Sequence, residues 1–122
     1  MCLMEEEIYQ MMVATTEDQD ELILENTTTL KVARWWNRAC DIIPCNSGKD
    51  IGIQKILDYF NFNKEEAMAF GDGGNDISML KYVGTGVAMG NAKDDVKAIA
   101  DYITDSVQED GIVSALKHFE IL

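Results

Sequence analysis

The run Phe70-Gly71-Asp72-Gly73-Gly74-Asn75-Asp76 constrains this chain more than any other stretch. Before it, Glu66-Ala67-Met68-Ala69-Phe70 has the length of a strand and ends apolar. After it, Ile77-Ser78-Met79-Leu80 opens a helix. Strand, glycine-bearing turn and helix follow one another, so the turn sits at the carboxyl end of a strand, where open α/β sheets bind ligands. Gly71, Gly73 and Gly74 let the backbone turn tightly.

The turn carries Asp72, Asp76 and the amide of Asn75. Carboxylates this close repel unless a cation lies between them. Mg²⁺ suits hard oxygen donors, takes one or two carboxylates and keeps several waters. A helix opening near Asn75 adds unpaired N–H groups, which favour a phosphate. The local chemistry points to a metal and a phosphate together. The alternative is a plain turn in which Asn75 caps the helix and the acids are solvated.

The rest of the chain can be placed around this turn. Ile8–Ala14 reads as a strand. Thr16 and Gln19 have capping-box spacing, ahead of a helix over 17–26 with Leu22 and Ile23 inward. Leu30–Trp36 and Ala39–Ile43 read as two more strands, with Trp35 and Trp36 taken as packing residues. The only proline, Pro44, and the loop residues Asn46-Ser47-Gly48 mark a junction. Beyond it Ile53, Ile56, Leu57 and Phe60 fall at i, i+3, i+4 and i+7, one face of a helix that starts at Lys49. A lysine there opposes the helix dipole unless an anion is near. Asn63 to Glu66 is a further cap signal. Val87–Met89 reads as a buried strand, and Asn91 opens a helix with Val96, Ile99 and Ala100 inward. Tyr102–Thr104 is a last strand, and Ile112, Leu116 and Phe119 mark a closing helix. From Lys49 the order is αβαβαβα, the pattern of a mostly parallel sheet covered by helices.

Composition narrows the function. At 122 residues with 47% apolar and 26% charged residues, the chain is globular. No run approaches the roughly 18 apolar residues of a membrane span, and no signal peptide is evident. The net charge of -12 argues against nucleic acid and anionic membranes as partners. One lysine and a metal can still reverse the sign locally for a phosphate. Cys2, Cys40 and Cys45 lack CxxC spacing, and His118 is the only histidine. Neither a zinc site nor a disulfide framework is indicated. Thiols in a reducing cytoplasm fit better, with His118 a surface or helix-end residue.

Gly71-Asp72-Gly73-Gly74-Asn75-Asp76 resembles the GDxxND motif of the haloacid dehalogenase-like superfamily, and more narrowly of its Cof-type sugar-phosphate phosphatases. Ser47-Gly48-Lys49 before a helix resembles that family's lysine motif. Gly86–Ala92 and Asp105–Ile112 resemble its later segments. The resemblance runs from about Ile42 to the C-terminus. It implies an α/β fold: a partial Rossmann-like core over 45–122, preceded by a small α+β remnant of the family's cap domain over 1–44. It also implies site roles. Asp72 would bind Mg²⁺ directly, and Asp76 would hold a metal-bound water or orient the shell. Asn75 would bond the phosphate or Lys49, and Lys49 would neutralise the nucleophile and the transferring group.

The family's nucleophile is the first Asp of a DxDGT-like motif, and this chain has no such motif. Its only DxD, Asp18-Gln19-Asp20, lies in a helical pattern without Gly-Thr after it. The expectation is therefore the C-terminal portion of a Mg²⁺-dependent phosphatase of small phosphate monoesters, sugar phosphates foremost. The alternative is a non-catalytic metal- or phosphate-binding remnant or interaction module. Lacking the nucleophile strand as a neighbour, the Ala67–Phe70 strand would keep an open edge, which invites a homodimer or a partner.

Overall fold

The computed structural model describes residues 7–122, in two compact units that divide between Ser47 and Gly48. Cys2 and the acidic start at Glu5 and Glu6 lie outside the described residues.

The first unit is an antiparallel three-stranded sheet in the order β1-β3-β2, with a short helix. Strand β1 (Met11–Val13) is shorter than the run Ile8–Ala14, because only these residues pair with β3 (Ala39–Pro44). Strand β2 (Leu30–Trp36) pairs along the other side of β3, with a bulge between Arg34 and Trp36. The core is small: Ala39, Cys40 and Ile42, all on the central strand, are buried. Burial pushes the Cys40 thiol pKa up, and the nearby Arg34 guanidinium only partly opposes this.

Three expectations change in this unit. The helix over 17–26 is a 3-10 turn (Glu17–Gln19) running into α1 (Asp20–Leu24), and Leu22 is exposed. Thr16 makes no side-chain cap bond. Its neighbour Thr15 is buried and bonds Gln19 Oε1 at 2.6 Å instead. Of the two tryptophans, Trp35 keeps most of its surface covered at 37% exposure, whereas Trp36, beyond the bulge, is 51% exposed and not a packing residue. Asp20, from the rejected DxD, is paired with Arg34, whose guanidinium also donates to the Thr15 carbonyl at 2.8 Å.

The second unit holds a parallel sheet in the order β4-β5-β6. Its elements alternate as the sequence suggests: α2 (Lys49–Phe60), β4 (Met68–Gly71), α3 (Ile77–Tyr82), β5 (Thr85–Ala88), α4 (Asp94–Lys97), β6 (Tyr102–Ile103) and α5 (Gly111–His118). Central strand β5 reads Gly-Val-Ala over its last three residues and all three are buried, as expected of a parallel strand covered on both faces. Ala69, Leu80, Val83, Ala88, Ala92 and Val96 form the core, with Ile53 and Ile77 against it. Gly84 and Gly86 are among the glycines that permit close backbone approaches. A Cβ on Gly86 would meet the Leu80 carbonyl oxygen at 2.3 Å, and one on Gly84 the Glu65 Cα at 2.5 Å.

The amphipathic face of α2 is only half used. Ile53 and Leu57 are half-buried, but Ile56 and Phe60 are 60% and 61% exposed. In α5, Ile112 is exposed as well, and Gly111 and Ala115 are the residues that bury. His118 is exposed at the end of α5, its ring stacked on Tyr102 with centroids 4.2 Å apart. Strand β4 is an edge of its sheet.

Candidate active site

The carboxyl ends of β4, β5 and β6 carry the loops that build the site. The ladder between β4 and β5 continues past the strands, with the Met89 N–H donating to the Gly71 carbonyl at 3.0 Å. Gly71 is thereby fixed one residue before Asp72. The chain then enters a 3-10 turn (Gly74–Asp76) that leads into α3. Gly71 is needed sterically: a Cβ there would lie 2.6 Å from the Asp76 Cβ.

Asp76 closes this loop. Its Oδ2 accepts the backbone N–H of Asp72 at 3.0 Å and of Gly73 at 3.1 Å. Its Oδ1 accepts from Lys49 Nζ, at the first turn of α2. Asp76 is 5% exposed, so its charge is satisfied almost wholly by these groups. Burial pushes its pKa up. The Lys49 hydrogen bond and the two backbone N–H groups outweigh that and hold it below the usual carboxylate range. Helix α2 is oriented against α3 by a bond from Ser78 Oγ to Asp50 Oδ1 at 3.2 Å.

Asp72 is different. It is exposed, and its Oδ2 accepts from Asn91 Nδ2 at 2.9 Å. Its Oδ1 accepts no hydrogen bond among the described residues. Lys49, Asp72 and Asp76 all line one open pocket of about 390 Å³, together with the apolar Phe70, Met79 and Met89. Asn75, in the 3-10 turn, does not line it; its amide oxygen lies against Gly73, where a Cβ would meet it at 2.8 Å.

Among the described residues no group of three or more His, Cys, Asp or Glu side chains gathers into a metal cage. The donors present suit a cation that needs few protein ligands. An exposed carboxylate with one oxygen unengaged, beside a second acid, fits Mg²⁺, which keeps most of its waters. Asp76 has both oxygens occupied, which suits it to orienting the surroundings. A phosphate beside this pair would meet the Lys49 ammonium. Asn91, expected to open a helix, lies in the turn before α4, which begins at Asp94, and Val107, which lines the pocket, had no expected role. No helix among the described residues is long and apolar enough to cross a membrane.

Comparison with known proteins gives the family and the fold of the chain. The model of the haloacid dehalogenase-like hydrolases matches residues 2–116. YkrA of Bacillus subtilis (strain 168) is 40% identical over 116 residues, covering 95% of this chain and 45% of its own length. The 5-amino-6-(5-phospho-D-ribitylamino)uracil phosphatase YitU of the same organism is 44% identical over 89 residues, covering 70% of this chain and 33% of its own. The solved structure of the HAD subclass IIB sugar phosphatase BT4131 superposes with a TM-score of 0.90 at 45% identity, covering 97% of this chain and 45% of that one. The chain thus spans less than half the length of each of these proteins.

Proposed function

This chain belongs to the haloacid dehalogenase-like hydrolase family, and on that premise we propose that its second unit is the metal- and phosphate-binding part of a phosphatase site. The substrate class is small phosphate monoesters, sugar phosphates foremost. The observation that carries this reading is the meeting of Lys49, Asp72 and Asp76 on one pocket at the carboxyl ends of parallel strands. Asp72 would hold Mg²⁺ through the oxygen that Asn91 leaves unengaged. Mg²⁺, when bound, supplies positive charge to the phosphoryl oxygens. Lys49 keeps two further N–H donors beyond the one it gives Asp76, and directs them at the phosphate. Asp76 holds Lys49 in place and orients the metal's water shell. Asn75 lies on the same turn but does not line the pocket, and would reach the phosphate or Lys49 only once its amide leaves Gly73.

Among the described residues the carboxylates on the pocket are Asp72 and Asp76, and both already have work. The attacking carboxylate therefore comes from a segment other than these 122 residues, in the DxDGT context that they lack. On this reading the chain alone binds metal and phosphate without turnover. The edge of β4 is where such a segment, a second copy or another partner would add a strand. The working compartment is the cytoplasm, where Cys40 and Cys45 stay free.

The test is Mg²⁺-dependent hydrolysis of an aryl phosphate by the purified chain, beside Asp72→Asn. The expected result is no turnover, with Mg²⁺ binding that Asp72→Asn abolishes. Turnover by the chain alone would overturn the assignment of the nucleophile to another segment. Equal Mg²⁺ binding by both proteins would overturn the metal site.

A further inference from the structure

Asn91 joins three loops. It follows β5, its Nδ2 donates to Asp72 Oδ2 at 2.9 Å after β4, and its Oδ1 accepts the Val107 N–H at 3.0 Å after β6. We propose that Asn91 is the positioning residue for Asp72: anchored on the Val107 amide, it holds one carboxylate oxygen so that the other points to the cation. This deepens the metal-site reading above and rests on it.

The chemistry singles out an amide. The Val107 N–H can only donate, so the oxygen of Asn91 must face it. Asp72 as a carboxylate can only accept, so the nitrogen must face Asp72. An Asp at position 91 has no donor for Asp72, and an Ala has neither group. The loops are held together independently of this side chain. Gly90 N–H donates to the Asp105 carbonyl at 3.0 Å, and a Cβ on Gly90 would lie only 2.6 Å from the Ser106 nitrogen. Asn91 is thus carried on a backbone that already touches the β6 loop, and Val107 sets its amide plane. An exposed carboxylate otherwise rotates among several orientations. Fixing it in advance removes that cost from metal binding, as groups bonded to metal ligands commonly do.

Two variants test this through Mn²⁺ binding, read as free Mn²⁺ by electron paramagnetic resonance. Asn91→Ala removes the hold on Asp72. Val107→Pro removes the anchoring N–H and exchanges one exposed apolar side chain on the pocket wall for another, leaving Asn91 itself in place. Val107 opens a 3-10 turn, a place that tolerates proline, and Ser106 before it has φ -68° and ψ 165°, which proline accepts in its predecessor. We expect Asn91→Ala to weaken Mn²⁺ binding roughly 10-fold. Val107→Pro should weaken it less, with its melting temperature in metal-free buffer close to that of the parent. Wild-type affinity in Asn91→Ala overturns the positioning role while leaving the metal site standing. Wild-type affinity in Val107→Pro overturns the anchoring step. A parent chain that binds no Mn²⁺ overturns the metal-site reading itself, and this proposal with it.

Discussion

Lys49 and Asp76 form an ion pair between the first turn of α2 and the loop after β4, and Asp76 uses its second oxygen to hold two backbone N–H groups of that loop. One buried carboxylate therefore both shapes the turn and fixes the cation that faces the pocket. Asp76→Asn keeps the size but loses the charge that Lys49 and both N–H groups address. It should cost about 2 kcal/mol, the scale of a hydrogen bond to a charged group. Urea denaturation of the two proteins at neutral pH, in metal-free buffer, checks this. The variant should show a lower midpoint with an unchanged slope.

The same group sets a pH dependence. The folded pKa of Asp76 lies below its unfolded value, because Lys49 and the Gly73 and Asp72 N–H groups outweigh burial. Its stabilisation is therefore fully present above the unfolded value, about 3.9, and fades as pH falls through the lower folded one. The stability gap between parent and Asp76→Asn should hold from pH 7 to about 5 and narrow below about 4. Urea midpoints across that range, without metal, read it directly. A gap that widens on acidification would reverse the sign argued here.

Glycine replacements should separate sharply by site. A Cβ on Gly111 would lie 2.0 Å from the Asp105 carbonyl oxygen, where no flexible side chain can yield. Gly111→Ala should cost about 3 kcal/mol, at the upper end of the usual overpacking range. Gly52, inside α2, has nothing within 4 Å of the added atom. Gly52→Ala should raise stability by about 1 kcal/mol through helix propensity alone. Thermal melts of the two variants should move in opposite directions.

The two ends of the apolar scale should also part. Leu80 is 1% exposed within the core, and Leu80→Ala should cost about 2–5 kcal/mol. Ile56 is 60% exposed although it shares a helical stripe with Ile53. Ile56→Ala should stay within about 0.5 kcal/mol of the parent. Chemical denaturation of both tests whether the exposed half of that stripe contributes to the isolated chain.

The element order from Lys49 onward was legible because each strand and helix is short, periodic and punctuated by glycine or a cap. Asp72 and Asp76 stood out as paired acids on a glycine turn between a strand and a helix, whereas Lys49, by itself readable as a surface lysine, stood out through the resemblance of Ser47-Gly48-Lys49 to the family's lysine motif. The outward set of α2 was not legible, since i, i+3, i+4 and i+7 spacing selects a stripe and cannot say how wide a surface awaits it. Ile53 and Leu57 take the inner line, leaving Ile56 and Phe60 outside it. The exposure of Trp36 depends on a bulge, a pairing event that neither strand reports alone. Thr16 makes no cap bond because the Gln19 N–H goes to its carbonyl, while the Gln19 side chain accepts from Thr15. Asn91 escaped notice because its partners, Asp72 and Val107, become neighbours only when β4, β5 and β6 line up.

That three-loop bridge also gives the site a birth order. During synthesis the chain emerges N-terminus first, so Asp72 and Asn91 leave the ribosome while Val107 is still inside. The β4-β5 pair can form at that stage, but the amide of Asn91 has nothing to anchor its oxygen. Asp72 gains its fixed orientation only when the segment after β6 docks. A nascent chain stalled before that segment would carry both Asp72 and Asp76 and still present Asp72 loosely, so on the proposed metal reading capture should mark the completion of the second unit rather than its beginning.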